Sequence, residues 1–223
     1  MTPQAVVFDF DGVLADTERL HFLAFRDVLA SRGWSLTEPD YYARYLGFDD
    51  AGLIAEFARD RNVQLAPGEQ VELVRLKSDR FQEHFAAGSV LFPGASEAVR
   101  RLASRFRLGI ASGALNHEIH TVLSVTNLRD AFSVVVGAED VRRTKPAPDP
   151  YLAATRQLDV SPSSAVAIED SRWGLESARS AGLRTIAVTT SYPSSALTLA
   201  DVIVDSLDKV TIDLVSGLLD RVA

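Results

Sequence analysis

The sequence predicts an α/β fold, a doubly wound parallel sheet interrupted by an inserted all-helical domain, on three observations. Near the start, AVVFDF (5–10) is a short apolar run rich in β-branched and aromatic residues, the pattern of a strand buried on both faces. No strand pattern follows between Asp16 and Ala87. Beyond Gly88, strand-like runs alternate with helical stretches, which indicates βαβ units and a parallel sheet.

Taken in order, Thr17 to Arg32 carries apolar residues at helical spacing (Leu20, Leu23, Ala24, Val28) and ends at Gly33. Thr37 with Asp40 resembles a capping box, Asp49 or Asp50 can cap the stretch through Ala58, and Pro67 opens a long helical pattern from Glu69 to Ala87. The later strands are expected at 107–112, 132–136, 165–168, 184–188 and 201–204. Helices are expected between them at 95–104, 116–126, 150–158, 172–181 and 209–219. Residues 1–15 and 89–223 are therefore expected to form the α/β core and 16–88 an inserted helical cap. Its hinges fall near Ala15 and near Gly88 to Gly94, where glycine and Pro93 interrupt the patterns.

Composition narrows the function classes. The 223 residues carry 23 basic and 30 acidic side chains, a net charge of −7, and no basic run, which argues against nucleic acid as a partner. No apolar stretch approaches a membrane span and the first residues lack a signal-peptide pattern, so a cytoplasmic protein with no membrane partner is expected. The absence of cysteine removes thiolate chemistry and disulfides. Oligomeric state leaves no mark on the sequence.

In a doubly wound sheet, ligands bind beyond the carboxyl ends of the strands, so polar residues there are the candidates. Four clusters qualify: Asp9, Asp11 and Gly12 after the first strand; Ser112 and Gly113; Lys145 in KPAPDP; and Glu169 and Asp170 with Ser171. Each alone has an ordinary structural explanation, as turn chemistry, a helix cap or a solvated lysine. Together they do not. Four carboxylates at one edge repel by roughly 4 kcal/mol per pair at about 4 Å with an effective dielectric near 20, so positive charge is required there. Oxygen ligands without histidine or cysteine favour a hard cation, and Mg²⁺ suits a site that also accepts a phosphate oxygen. Lys145 would add a second positive charge.

These residues resemble the motifs of the haloacid dehalogenase superfamily, on its phosphatase and β-phosphoglucomutase branch. VVFDFDGVLADTE resembles the first motif, Ser112 the second, Lys145 in KPAPDP the third, and Glu169, Asp170 and Ser171 the fourth, in that order over nearly the whole chain. The resemblance implies a Rossmann-like core with a flap and a helical cap. It also implies that Asp9 attacks phosphorus to form an aspartyl-phosphate and that Asp11 serves as general acid and then base. Gly12, Ser112, Gly113 and Lys145 would hold the phosphate, and Asp9, Asp11, Glu169 and Asp170 the Mg²⁺. His21 and Lys77 match cap residues of the same branch and are the candidate substrate contacts, with Arg44, Tyr45, Asp49 and Phe81 as further cap residues that could face it.

The expected activity is thus hydrolysis of a small phosphorylated metabolite, a sugar phosphate or phosphoglycolate. The alternative is a sugar-phosphate mutase; Asp50 and Ala114-Leu115 stand where that branch grips its second phosphate, which disfavours it. A non-enzymatic phospho-accepting signalling module would be smaller and capless. His117 and His120 lie three apart, without the spacing of a helical zinc site, and Trp173 is expected to pack beneath the site as a helix anchor.

Overall fold

The computed structural model describes residues 4–45, 50–87 and 90–220. Asp49 and Gly88, named above for capping, substrate access and hinge positions, lie outside them. The chain divides into two compact units: Met1–Asp16 with Leu91–Ala223, and Thr17–Val90.

The first unit is built on a six-stranded parallel sheet of order β3-β2-β1-β4-β5-β6, the Rossmann arrangement. Its strands are β1 (Ala5–Phe8), β2 (Arg107–Ala111), β3 (Val134–Val136), β4 (Ala165–Glu169), β5 (Arg184–Val188) and β6 (Val202–Val204). All four residues of β1 are buried, as its uninterrupted apolar sequence requires of a central strand. Register then fixes what meets at the carboxyl edge. Phe8 pairs with Ile110 on one side and Ile168 on the other, so Asp9 stands level with Ala111 and Glu169, one residue short of Ser112 and Asp170.

Most element ends shift from the sequence expectation by one to three residues, as at β3, which begins at Val134 rather than at 132, and two of these shifts have a visible cause. Strand β4 runs one residue further, through Glu169, whose side chain is fully buried. The last helix begins at Ile212 rather than Lys209, because Thr211 caps it by accepting from Leu214 N (3.1 Å) after a separate turn at Leu207–Lys209. The core beneath the site packs Val7, Ala167, Tyr151, Ala154, Leu158 and Ala178.

Among its described residues the second unit holds helices and no strand: α1 (Thr17–Ala30), a single turn α2 (Glu38–Asp40) continuing into a π-helical turn Tyr41–Tyr45, α3 (Asp50–Asp60) and α4 (Glu69–Ala87). The Thr37 cap forms, with Oγ1 accepting from Asp40 N (3.3 Å). Phe22, Phe25, Leu29, Tyr41, Leu53, Phe57 and Leu73 make its own core. No helix among the described residues is long and apolar enough to cross a membrane.

Candidate active site

At the end of β1 the chain turns sharply. Leu14 N and Ala15 N both donate to Phe10 O, and Gly12 N donates to Ala15 O, with Gly12 at φ +77°. Only glycine adopts that conformation readily, and here there is a second reason: a Cβ on Gly12 would run into the Asp170 carboxylate and the Ser191 hydroxyl. Gly12 O accepts from Thr190 Oγ1, which ties the turn to the loop after β5. Asp11 lies in the same turn, bridged to Ala15.

The buried Asp9 accepts through Oδ1 from Phe10 N (2.7 Å) and from Lys145 Nζ (2.7 Å). Lys145 reaches the edge from the loop before α5 (Asp149–Gln157), and its ammonium also donates to Glu169 Oε1 at 2.6 Å. Asp9, Glu169 and Asp170 present oxygens within 4.8 Å of one another, the one group of its kind among the described residues. The set holds three carboxylates against a single ammonium.

The electrostatics follow from that imbalance. Burial, reinforced by Glu169, raises the Asp9 pKa well above the ordinary carboxylate range despite Lys145. Burial also raises Asp170 to about 6, with the Ser191 hydroxyl pulling the other way. Burial alone would lower Lys145, but Asp9 and Glu169 outweigh it and hold the ammonium protonated. An all-oxygen donor set with excess negative charge fits a hard cation.

Ser112, almost wholly buried, follows β2; its Oγ accepts from Ala114 N (3.0 Å), which leaves the hydroxyl proton to donate elsewhere. Gly113 is exposed, and nothing would meet a Cβ there. Glu169 turns out to be held on every side. Oε1 accepts from Lys145 and from Tyr151 Oη (2.7 Å); Oε2 accepts from Ser171 Oγ (3.3 Å) and Asp170 N (3.2 Å).

Four residues of this site escape sequence reasoning. Tyr151 reads as one more apolar position of its helix, and Thr190 and Ser191 as loop polar residues. Gly174 does carry a signal, because glycine inside a helical pattern costs about 1 kcal/mol against alanine and so needs a packing reason. The reason is that a Cβ there would occupy the Glu169 carboxylate. Trp173, expected beneath the site, is instead 47% exposed and meets Tyr192 edge-on. Its place on the outward side of α6 (Arg172–Ser180) follows from Gly174 and Leu175 taking the inward one.

The helical unit gathers its own candidates. Lys77, 2% exposed, donates to both oxygens of Asp50 (2.7 and 2.9 Å) and contacts His21 Nδ1 (2.6 Å), between the rings of Phe25 and Phe81. Burial and the adjacent ammonium lower the His21 pKa to about 4, so its ring is neutral at pH 7. Arg44 pairs with Asp60, which also accepts from Tyr45 Oη (2.7 Å).

A family model described as haloacid dehalogenase-like hydrolase matches residues 6–188. The chain is 35% identical over 201 residues to the protein CbbY of Rhodobacter capsulatus, covering 86% of this chain and 88% of that one. It is 32% identical to hexitol phosphatase B of Escherichia coli K12, covering 93% and 94%. A crystal structure of a CbbY variant from Rhodobacter sphaeroides in complex with xylulose-(1,5)bisphosphate superposes with a TM-score of 0.73 at 31% identity, covering 93% and 96%.

Proposed function

The chain belongs to the haloacid dehalogenase-like hydrolase family and is an enzyme acting on phosphate esters, and from that premise we propose that it is a Mg²⁺-dependent phosphatase of small phosphomonoesters of the sugar-phosphate type. The observation that carries the reading is Lys145 bridging Asp9 and Glu169 at the carboxyl edge of the sheet. The names of the similar proteins, a hexitol phosphatase and a CbbY solved with a sugar bisphosphate, support the substrate class.

With Oδ1 of Asp9 engaged by Phe10 N and Lys145, Oδ2 is assigned to the attack on phosphorus. The P–O bond to the substrate breaks as the aspartyl-phosphate forms, and Asp11 gives its proton to the departing alkoxide. Asp11 then takes a proton from water, the water oxygen attacks phosphorus, and the bond to Asp9 breaks to release phosphate. Ser112, donating its hydroxyl, and Lys145 hold the equatorial oxygens, with the backbone at Gly12 and Gly113 completing the phosphate site. Asp9, Asp170 and the backbone carbonyl of Asp11 would hold the Mg²⁺. Glu169, whose oxygens face Lys145, Tyr151 and Ser171, would orient the shell around it. When bound, the cation supplies the charge that lets phosphate approach this acidic edge.

The helical unit is proposed as the cap that sets substrate choice, with His21 and Lys77 its candidate residues. A mutase would need a free cation for a second phosphate, and the pairing of Lys77 with Asp50 weighs against that role. Phosphate release from a panel of sugar phosphates, phosphoglycolate and nucleotides, with and without Mg²⁺ and beside Asp9→Asn, tests the reading. Mg²⁺-dependent release lost in the variant is expected. No release from any ester, or full activity of a folded Asp9→Asn, would overturn it.

A further inference from the structure

Tyr151 is buried in an apolar cluster that a phenylalanine would fill equally well, so its hydroxyl needs a reason. The hydroxyl donates to Glu169 Oε1, the same oxygen that receives Lys145. Its ring also lies beside that ammonium, 5.3 Å from Nζ to the centroid. Three groups therefore converge on one point: a phenol, a carboxylate and the lysine that touches Asp9.

Glu169 cannot move to relieve a poor fit. Ser171 and the Asp170 amide hold Oε2, and Gly174 stands where any side chain would collide with the carboxylate. What can vary is how strongly Oε1 pulls on Lys145. Asp9 and Glu169 compete for that ammonium at nearly equal distances, 2.7 and 2.6 Å. A hydrogen bond from the phenol takes up part of the charge on Oε1 and lessens its hold on the lysine. The phenol is the donor in this contact, since the carboxylate oxygen can only accept.

We infer that Tyr151 is a positioning residue: by hydrogen bonding Glu169 it sets the balance that leaves Lys145 directed at Asp9 and at the phosphoryl group bound there. This rests on the phosphatase reading. Acting only through Glu169 and Lys145, Tyr151 need not touch substrate.

The test is Tyr151→Phe in the full-length protein with saturating Mg²⁺, compared with wild type for kcat, KM and the Kd of inorganic phosphate by calorimetry. The expected result is a kcat lower by about tenfold, the scale of one hydrogen bond to a charged group, with KM changed by less than about threefold. Phosphate should bind more weakly by a similar or smaller factor. In a Glu169→Gln background, where the charge is gone, the same substitution should change kcat by less than about threefold, since coupled residues are non-additive. A purely structural tyrosine would lower activity equally in both backgrounds and in step with the thermal midpoint, and that result would overturn the inference. So would a Tyr151→Phe enzyme within about twofold of wild type in both kcat and phosphate affinity. A wild type that binds phosphate but hydrolyses no ester would refute the phosphatase reading while the phosphate affinities still judge Tyr151; one that does neither would overturn both.

Discussion

Asp9→Asn should abolish turnover and yet leave the metal-free protein as stable as wild type or more so. In wild type Asp9 lies 2.7 Å from Lys145, an attraction of about 6 kcal/mol at an effective dielectric near 20. Glu169 and Asp170 present oxygens within 4.8 Å, and each repels Asp9 by about 3.5 kcal/mol or more on the same scale. The two repulsions together match or exceed the one attraction, and burial of the charge decides the sign against Asp9. The raised pKa of Asp9 says the same thing: the folded state binds its proton more tightly than the unfolded chain does. The contribution of Asp9 to the stability of the metal-free protein is therefore fully present below the ordinary aspartate range and declines as pH rises from there through the raised value. The carboxamide of the variant cannot titrate. Thermal midpoints in EDTA should thus be similar for the two proteins near pH 4, with the variant ahead at pH 7. A gain of about 1–2 kcal/mol corresponds to roughly 2–8 °C at this chain length. Adding Mg²⁺ should raise wild type more than the variant, because a ligand that binds only the folded state stabilises in proportion to its affinity. A variant melting clearly below wild type in EDTA at pH 7 would refute the electrostatic account, whatever its activity.

Gly12→Ala should lower kcat/KM at least about 100-fold and destabilise by about 1–3 kcal/mol, since it adds a side chain at φ +77° against Asp170; Gly113→Ala should stay within about threefold of wild type in steady-state kinetics. In the helical unit, Asp50→Asn should cost about 3–5 kcal/mol in urea unfolding because it strands the buried Lys77 ammonium. Lys77→Met should cost less than about 1.5 kcal/mol, since a thioether suits the space between Phe25 and Phe81 and Asp50, 38% exposed, can turn to water. His21, with a folded pKa of about 4 against an ordinary value of 6.5, binds a proton more readily when unfolded, so its contribution is present above pH 6.5 and is lost as pH falls towards 4. Urea unfolding at pH 7 and pH 5 should show wild type losing about 2 kcal/mol more than His21→Asn.

The architecture was legible because the sheet advertises itself. Runs such as AVVF and RTIAV, buried over all or nearly all their length, leave no polar alternation to confuse with a helix, and the helical stripes between them fix parallel order. The convergence of Asp9, Lys145, Glu169 and Asp170 was legible for the same reason, since strand ends in such a sheet share one edge. The partners that set charge and orientation were not. Tyr151 comes from a helix face and Ser191 from the loop after β5, and neither residue type reports which carboxylate it will meet. Asp50 reads in the sequence as a possible helix cap and as an acid where a phosphate clamp would need a base. Its pairing with Lys77 across 27 residues is a tertiary fact, written by the packing of α3 and α4 rather than by any local pattern.

The two buried lysines show how the same residue type serves opposite ends. Lys77 meets a carboxylate that is partly exposed, a neutral imidazole and two aromatic faces, so its charge is balanced within the unit and little field is left over. Lys145 faces Asp9 and Glu169 with Asp170 close by, and its charge is outnumbered. The first arrangement is complete as it stands. The second is stable only if carboxylates take up protons or further positive charge arrives, and an incoming phosphate dianion would worsen the imbalance. On the phosphatase reading, catalysis at this edge would demand a cation alongside Lys145, and the same excess of negative charge that raises the Asp9 and Asp170 pKa values is what would draw it in.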